Sequence, residues 1–214
     1  MKLFKQICAV ILTIGAFSLA PHASAQEAPD ALVKRISQDV LDAAKADKEI
    51  QAGNQKRVLD LVEAKILPYV DFQRMTSLAA GRFWREATSE QKKQLTTEFR
   101  ALLVYTYSGA ISQIRDQKLE FKPMRGDPAD TEVEVRSQVL QPRGEPIQLN
   151  YRLEKVDNGW KIYDVNVLGA WLVETYKGNF AAEISKAGID GLIKTLADKN
   201  KRLAASAAKG AKRS

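Results

Sequence analysis

Cys8 and His22 are the only cysteine and histidine of the 214-residue chain, and both lie in a segment patterned as an export signal. Lys2 and Lys5 give that segment a charged start, Ile7–Ala20 form an apolar run, and Ala23–Ala25 (ASA) form a small-residue cleavage site. The run is shorter than the roughly 20 residues a membrane span needs. Cys8 stands at the start of the run instead of at the cleavage point, which argues against a lipid-anchored amino terminus. Residues 1–25 are therefore expected to be removed, leaving a soluble exported chain that begins at Gln26. That chain can build no disulfide, no Cys or His zinc site, no Ser–His–Asp or Cys–His nucleophile and no histidine general base. No G-x-S-x-G elbow appears either. Carboxylates, lysines, serines and tyrosines remain as candidates for chemistry, and of these the carboxylates offer the rival reading of a hydrolase. Glu132 and Glu134 would share the wet face of one strand, but no partner for acid–base hydrolysis is visible beside them.

The charge is unevenly placed. The formal net charge is +7, of which the signal supplies two units through Lys2 and Lys5. From Asp198 onward, DKNKRLAASAAKGAKRS holds six basic residues against one acid. Residues 26–197 are thus balanced, and the basic excess belongs to residues 198–214. Such a stretch is expected to be a disordered, solvated tail, with attraction to anionic membrane surfaces as the alternative. Nucleic acid is not an expected partner.

Residues 26–197 suit a single domain with a sizeable core. In the first half, Leu32, Val33, Ile36, Val40, Leu41 and Ala44 recur at helical spacing, as do Val58, Leu59, Leu61, Val62 and Ile66 before Pro68. Asp71 can cap a short helix carrying Phe72, Met75 and Leu78. Thr88 and Gln91 fit a capping box at the head of a long helix reaching about Arg115, with Leu95, Phe99, Leu102 and Leu103 inward. From Lys118 the period changes to two. Four strands are expected, in an antiparallel meander with one polar and one apolar face. The inward positions are Leu119, Phe121, Val133, Val135, Val139, Ile147, Leu149, Tyr151, Leu153, Tyr163, Val165 and Val167, with Trp160 and Ile162 opposite them. Asn158–Gly159 marks a hairpin. Two helices follow, one in GAWLVETYKGNF and one after GIDG. The fold class is α+β, with helices on one face of a curved four-stranded antiparallel sheet.

GAWLVETYKGNF (Gly169–Phe180) poses a separate question. Leu172, Val173, Tyr176 and Phe180 share one arc, while Trp171 falls on the opposite side. Trp171 has three candidate homes: a cavity rim, an exposed docking surface, or a contact with the following helix. The uncharged inward face fits an ordinary core first, and also an apolar cavity left where helices and sheet fail to close. Periodicity does not separate the two.

The stretch Ile66–Tyr107 resembles the signature of the MlaC family of periplasmic phospholipid-binding, or toluene-tolerance, proteins. Pro68, Asp71, Phe72, Met75, Gly81, Trp84, Ala87, Thr88, Gln91, Phe99, Leu102, Leu103 and Tyr107 carry the likeness, which continues through YDVNVLGAWLVETYKGNF and GIDGL. Lys177 stands where arginine is frequent, and Trp171 where smaller residues are common. The resemblance implies a nuclear transport factor 2-like fold enclosing an apolar cavity, no catalysis, no cofactor, and a phospholipid carried as cargo. It implies a monomeric periplasmic carrier working between an outer-membrane lipoprotein–porin complex and an inner-membrane ABC transporter with an MCE-domain subunit, in support of outer-membrane lipid asymmetry. On that implication the cavity lining comprises Val133, Val135, Leu149, Tyr151, Tyr163, Val165 and Val167 of the sheet, Leu172, Val173 and Tyr176 of the following helix, and Phe99 and Leu103 of the long helix. Arg82, Arg85 and Trp171 are the candidate docking residues, with Trp84 between the arginines as a core anchor. A chaperone shielding apolar peptide segments in the same groove and a carboxylate hydrolase are the alternatives. Exposing roughly thirty tail methylenes to water would cost on the order of 20 kcal/mol at ~0.8 kcal/mol each, so a carrier must offer a dry, uncharged space.

Overall fold

A computed structural model describes residues 26–124, 127 and 129–210. The expected signal, residues 1–25, lies outside the described residues. The first half is helical: α1 (Pro29–Ala46), α2 (Lys48–Gln51), α3 (Gln55–Lys65), a 3-10 turn at Leu67–Tyr69, α4 (Phe72–Ala80), α5 (Phe83–Glu86) and α6 (Ser89–Tyr107), which tightens into a 3-10 segment, Ser108–Gln113. Local side chains fix several of these starts. The Asp47 carboxylate accepts from the backbone N–H of Glu49 and Ile50, Asn54 from Lys56 and Arg57, and Asp71 from Arg74. Thr88 and Gln91 complete both halves of the capping box that opens α6.

The sheet has five strands, not four. They are β1 (Lys118–Phe121), β2 (Glu132–Leu140), β3 (Ile147–Val156), β4 (Gly159–Val167) and β5 (Ala170–Trp171), paired antiparallel in sequence order. The fifth strand is two residues long, with Trp171 opposite Asn166 and Ala170 opposite Val167. So short a strand leaves no alternation to read. The β3–β4 hairpin turns through Asp157–Asn158, with Gly159 at φ 132° opening β4.

A bulge in β4 changes the expected inward set. Arg152 pairs with Asp164 and Leu153 pairs with Ile162, so Tyr163 is the extra residue. Trp160 and Ile162 therefore share the inward face with Val165 and Val167, and Tyr163 leaves it. Unbroken alternation predicts the reverse. The Tyr163 hydroxyl donates to Glu132 at 2.9 Å, and its ring lies 4.1 Å from the Arg74 guanidinium.

The last element, α7 (Leu172–Gly210), is broken at Gly188, where φ 73° and ψ 179° interrupt the helix. The basic segment expected as a disordered tail is helical as far as Gly210. Asn200 is buried, with its amide donating 2.8 Å bonds to the backbone carbonyl and the carboxylate of Glu98, and Leu203 packs on the core.

The buried apolar residues form three clusters. One joins α4, α6 and α7 around Phe99, Leu102, Leu172 and Phe180. A second joins α1 to the sheet around Leu32, Val33, Val135, Leu153 and Ile162. A third, around Ala44, Ile50 and Val58, links α1, α2 and α3.

Candidate functional site

The inward face of the sheet between the first two clusters holds most of the expected lining residues. Val133, Leu149, Tyr151, Val165, Val167 and Tyr176 are half-buried. Val135, Phe99, Leu103, Leu172 and Val173 are fully buried and belong to the clusters themselves. Val165 packs against both clusters. Phe99, Tyr176 and Phe180 form an aromatic wall, with Phe99 edge-on to Tyr176 at 4.9 Å and to Phe180 at 5.0 Å. Tyr163, displaced by the bulge, is absent from this group.

The face is apolar but not uniformly so. Tyr151 sits so deep that loss of hydration pushes its phenol above its ordinary value, with the Ser37 and Ser137 hydroxyls beside it acting in the opposite sense. Yet Tyr151 keeps accessible surface. Ser137 is buried on the inward side of β2 and donates to the Leu149 carbonyl. Tyr176 is pushed up to about 12, first by desolvation and then by the neighbouring Tyr107. Both phenols are neutral across the physiological range, so no charge enters the face from them.

Charges gather on the opposite face. Arg74 of α4 reaches the carboxylates of Glu132, at 2.7 Å, and Glu154. The Arg74 bond, aided by the Tyr163 hydroxyl, holds the Glu132 carboxyl below its ordinary value. Glu132, one of the two carboxylates considered for hydrolysis, is thus a clamp between α4 and the sheet, with its charge already compensated. Asp164 is buried at 2 % exposure. Burial raises its carboxyl although it accepts from the backbone N–H of Val173 and Val165 and lies near Arg152. The Val173 bond, 3.0 Å long, caps the first turn of α7 from the sheet, while the 2.9 Å bond from Val165 is local to β4. Sequence spacing gives no sign of this cap, because Asp164 stands nine residues before its helical partner.

Of the docking candidates, Arg82 and Arg85 are exposed. Trp84 is half-buried, with the Lys92 ammonium 5.7 Å from its ring, and is no part of the buried core expected for it. Trp171 is half-buried under Arg152, 3.9 Å from the guanidinium. Among the described residues no helix is long and apolar enough to cross a membrane.

Known proteins resemble this chain in sequence and in fold. A solved structure of a phospholipid-binding protein from Ralstonia solanacearum, in complex with a phospholipid, superposes with a TM-score of 0.78 at 47 % identity, covering 82 % of this chain and 98 % of that one. The intermembrane phospholipid transport system binding protein MlaC of Haemophilus influenzae is 22 % identical over 196 residues, 90 % of this chain and 92 % of its own. The toluene tolerance protein ttg2D of Pseudomonas putida is 25 % identical over 182 residues, 85 % of this chain and 83 % of its own. A family model described as MlaC protein matches residues 34–198. The chain belongs to the MlaC family.

Proposed function

We propose that this protein is a phospholipid carrier whose acyl-chain cavity lies between the inward sheet face and the α6–α7 wall. The observation that carries the reading is Tyr151. It stands on the inward face between two apolar clusters with part of its surface still uncovered, as a wall residue of an internal space would. Val165, Val167, Leu149 and Val133 on the same face are likewise half-buried instead of closed over. Such a space between two apolar clusters is suited to alkyl chains, and the helices over one face of a curved sheet accord with a nuclear transport factor 2-like fold. The Ralstonia relative, solved with a phospholipid, supports the class of ligand.

The carrier works as a monomer in the periplasm, between an outer-membrane lipoprotein–porin complex and an inner-membrane ABC transporter with an MCE-domain subunit, and helps maintain outer-membrane lipid asymmetry. Arg82 and Arg85 are the proposed docking contacts. Removal from a bilayer into an apolar cavity exchanges one dry environment for another, so transfer is nearly neutral and its direction comes from the partners.

Val167→Glu tests the reading, because a carboxylate facing alkyl chains is costly to desolvate. The variant is expected to fold, by circular dichroism, and to lose phospholipid from organic extracts analysed by mass spectrometry. A folded variant with its full lipid load places the tails elsewhere. Peptide in place of lipid in the wild-type extract makes the protein a chaperone.

A further inference from the structure

Two clefts flank the turn at Pro68, of about 520 Å³ and about 710 Å³, and Pro68 and Lys161 line both. The floor of the smaller includes Val70 and Phe72, which pack on the α4–α6–α7 cluster, and Val70 also touches the α1–sheet cluster. The larger reaches Leu32 and Trp160, both members of the α1–sheet cluster. Each cleft therefore opens from solvent onto one of the two apolar clusters that bound the proposed cavity.

Three cations stand at these mouths, and their surroundings differ. Arg35 is paired with Glu27 at 2.7 Å and Arg100 with Glu63 at 2.7 Å. Lys161 Nζ donates to the Pro68 carbonyl at 2.5 Å and, among the described residues, has no carboxylate within 4.0 Å. Its positive charge is held in place by a neutral group at the partition between the clefts. Arg100 lines the smaller cleft, where its guanidinium sits 6.0 Å from the Phe72 ring and its one ion-pair partner among the described residues, Glu63, is 69 % exposed.

We infer that Lys161, assisted by Arg100, forms the phosphate subsite for the lipid head group at this mouth. The inference rests on the carrier reading. An ammonium is a compact point charge suited to a phosphodiester oxygen, and a guanidinium supplies parallel donors to a second oxygen. The apolar cleft floor then leads the glycerol and tails from that phosphate towards the interior, while the head stays at the solvent boundary.

The test compares phosphatidic acid, whose head group is the phosphate alone, and phosphatidylethanolamine with diacylglycerol carrying identical tails, which has neither phosphate nor ethanolamine. Each is loaded into wild type, Lys161→Gln/Arg100→Gln, and Lys161→Arg, and its loss to acceptor vesicles is timed. Wild type is expected to hold phosphatidic acid and phosphatidylethanolamine each about tenfold longer than diacylglycerol, as one charge-assisted hydrogen bond allows. The double variant is expected to abolish that ratio without changing diacylglycerol retention, and Lys161→Arg to preserve it. A double variant that stays folded and keeps the wild-type ratio overturns the subsite. Inorganic phosphate titrated into delipidated protein, followed by phosphorus NMR, is expected not to saturate at millimolar concentration. Saturable phosphate binding that depends on Lys161, with no difference between the phospholipids and diacylglycerol, overturns the head-group assignment in favour of a free anion. Wild type that retains none of these lipids sinks the carrier reading itself.

Discussion

The Arg152 guanidinium lies 3.9 Å from the centroid of the Trp171 ring, and its Nη1 lies 3.6 Å from the buried Asp164 carboxylate. Trp171 thus faces away from the apolar arc of α7 because its ring is a plate for a cation on the polar side of the sheet. That contact joins β3, β4, β5 and the start of α7 at one point. Trp171→Ala is expected to lower stability while leaving bound lipid in place. A double-mutant cycle with Arg152→Ala, read from urea unfolding, should give a coupling of about 1 kcal/mol.

Asp164 makes a pH-dependent contribution whose sign follows from burial. Its carboxyl is raised above the unfolded value of 3.8, so the folded state holds the proton more tightly than the unfolded one. The associated stability is complete below 3.8 and is lost as pH rises through the folded-state value. Asp164→Asn keeps the acceptor oxygen for Val173 N–H and removes the titration. The stability of wild type relative to this variant should therefore fall with rising pH across that window and be flat above it, in urea midpoints measured at stepped pH.

Glu132 behaves in the opposite way. Arg74 and Tyr163 lower its carboxyl from 4.5, so the clamp is complete above that value and is lost as pH falls through the lowered one. Glu132→Gln should remove this acid-sensitive component. Arg74→Ala strands two carboxylates, one of them, Glu154, only 17 % exposed, and is expected to cost about 1–3 kcal/mol. Acid titrations of stability for the two variants check both statements.

Two truncations bracket the end of the folded unit. A stop after Ala204 leaves Asn200 and Leu203 in place, and thermal unfolding and lipid content should match wild type. A stop after Lys199 removes the Asn200 amide that bonds Glu98 twice, and should cost about 1–2 kcal/mol.

At Gly188, φ 73° with ψ 179° is a conformation essentially restricted to glycine. Gly188→Ala should destabilise by about 1–3 kcal/mol although open space surrounds the site. At Gly191 the obstacle is packing, since an added Cβ would lie 2.3 Å from that of Ala187. Thermal unfolding of both alanine variants tests the two causes.

What the sequence revealed depended on whether the signal was local. The capping box at Thr88 and Gln91, the stripe of α1 and the alternation of β2 and β3 were legible because neighbours within a few positions decide them. The displacement of Tyr163 was not, since a bulge is defined by the partner strand, and Val165 and Val167 fit the inward face with or without it. Ser137 interrupts the apolar alternation of β2, so alternation does not single it out, though it sits beside the Tyr151 hydroxyl in the candidate site. The segment after Asp198 looked solvated by its charge, but Asn200 and Leu203 supply the anchors that keep it helical. Lys161 carried no signal at all, because only the folded chain brings it to Pro68.

The bulge also makes β4 an unusual place to shorten the chain. Ordinarily a one-residue deletion turns over every side chain beyond it. Here, removing Tyr163 would make Ile162 and Asp164 neighbours opposite Leu153 and Arg152, the pairings they already have. Every other residue of the strand would keep its present side. Tyr163 is in this sense a spare stitch: taken out, it leaves the pattern intact and straightens the cloth. The deletion would separate two properties that substitutions confound, the curvature of the wall and the chemistry of the groups upon it.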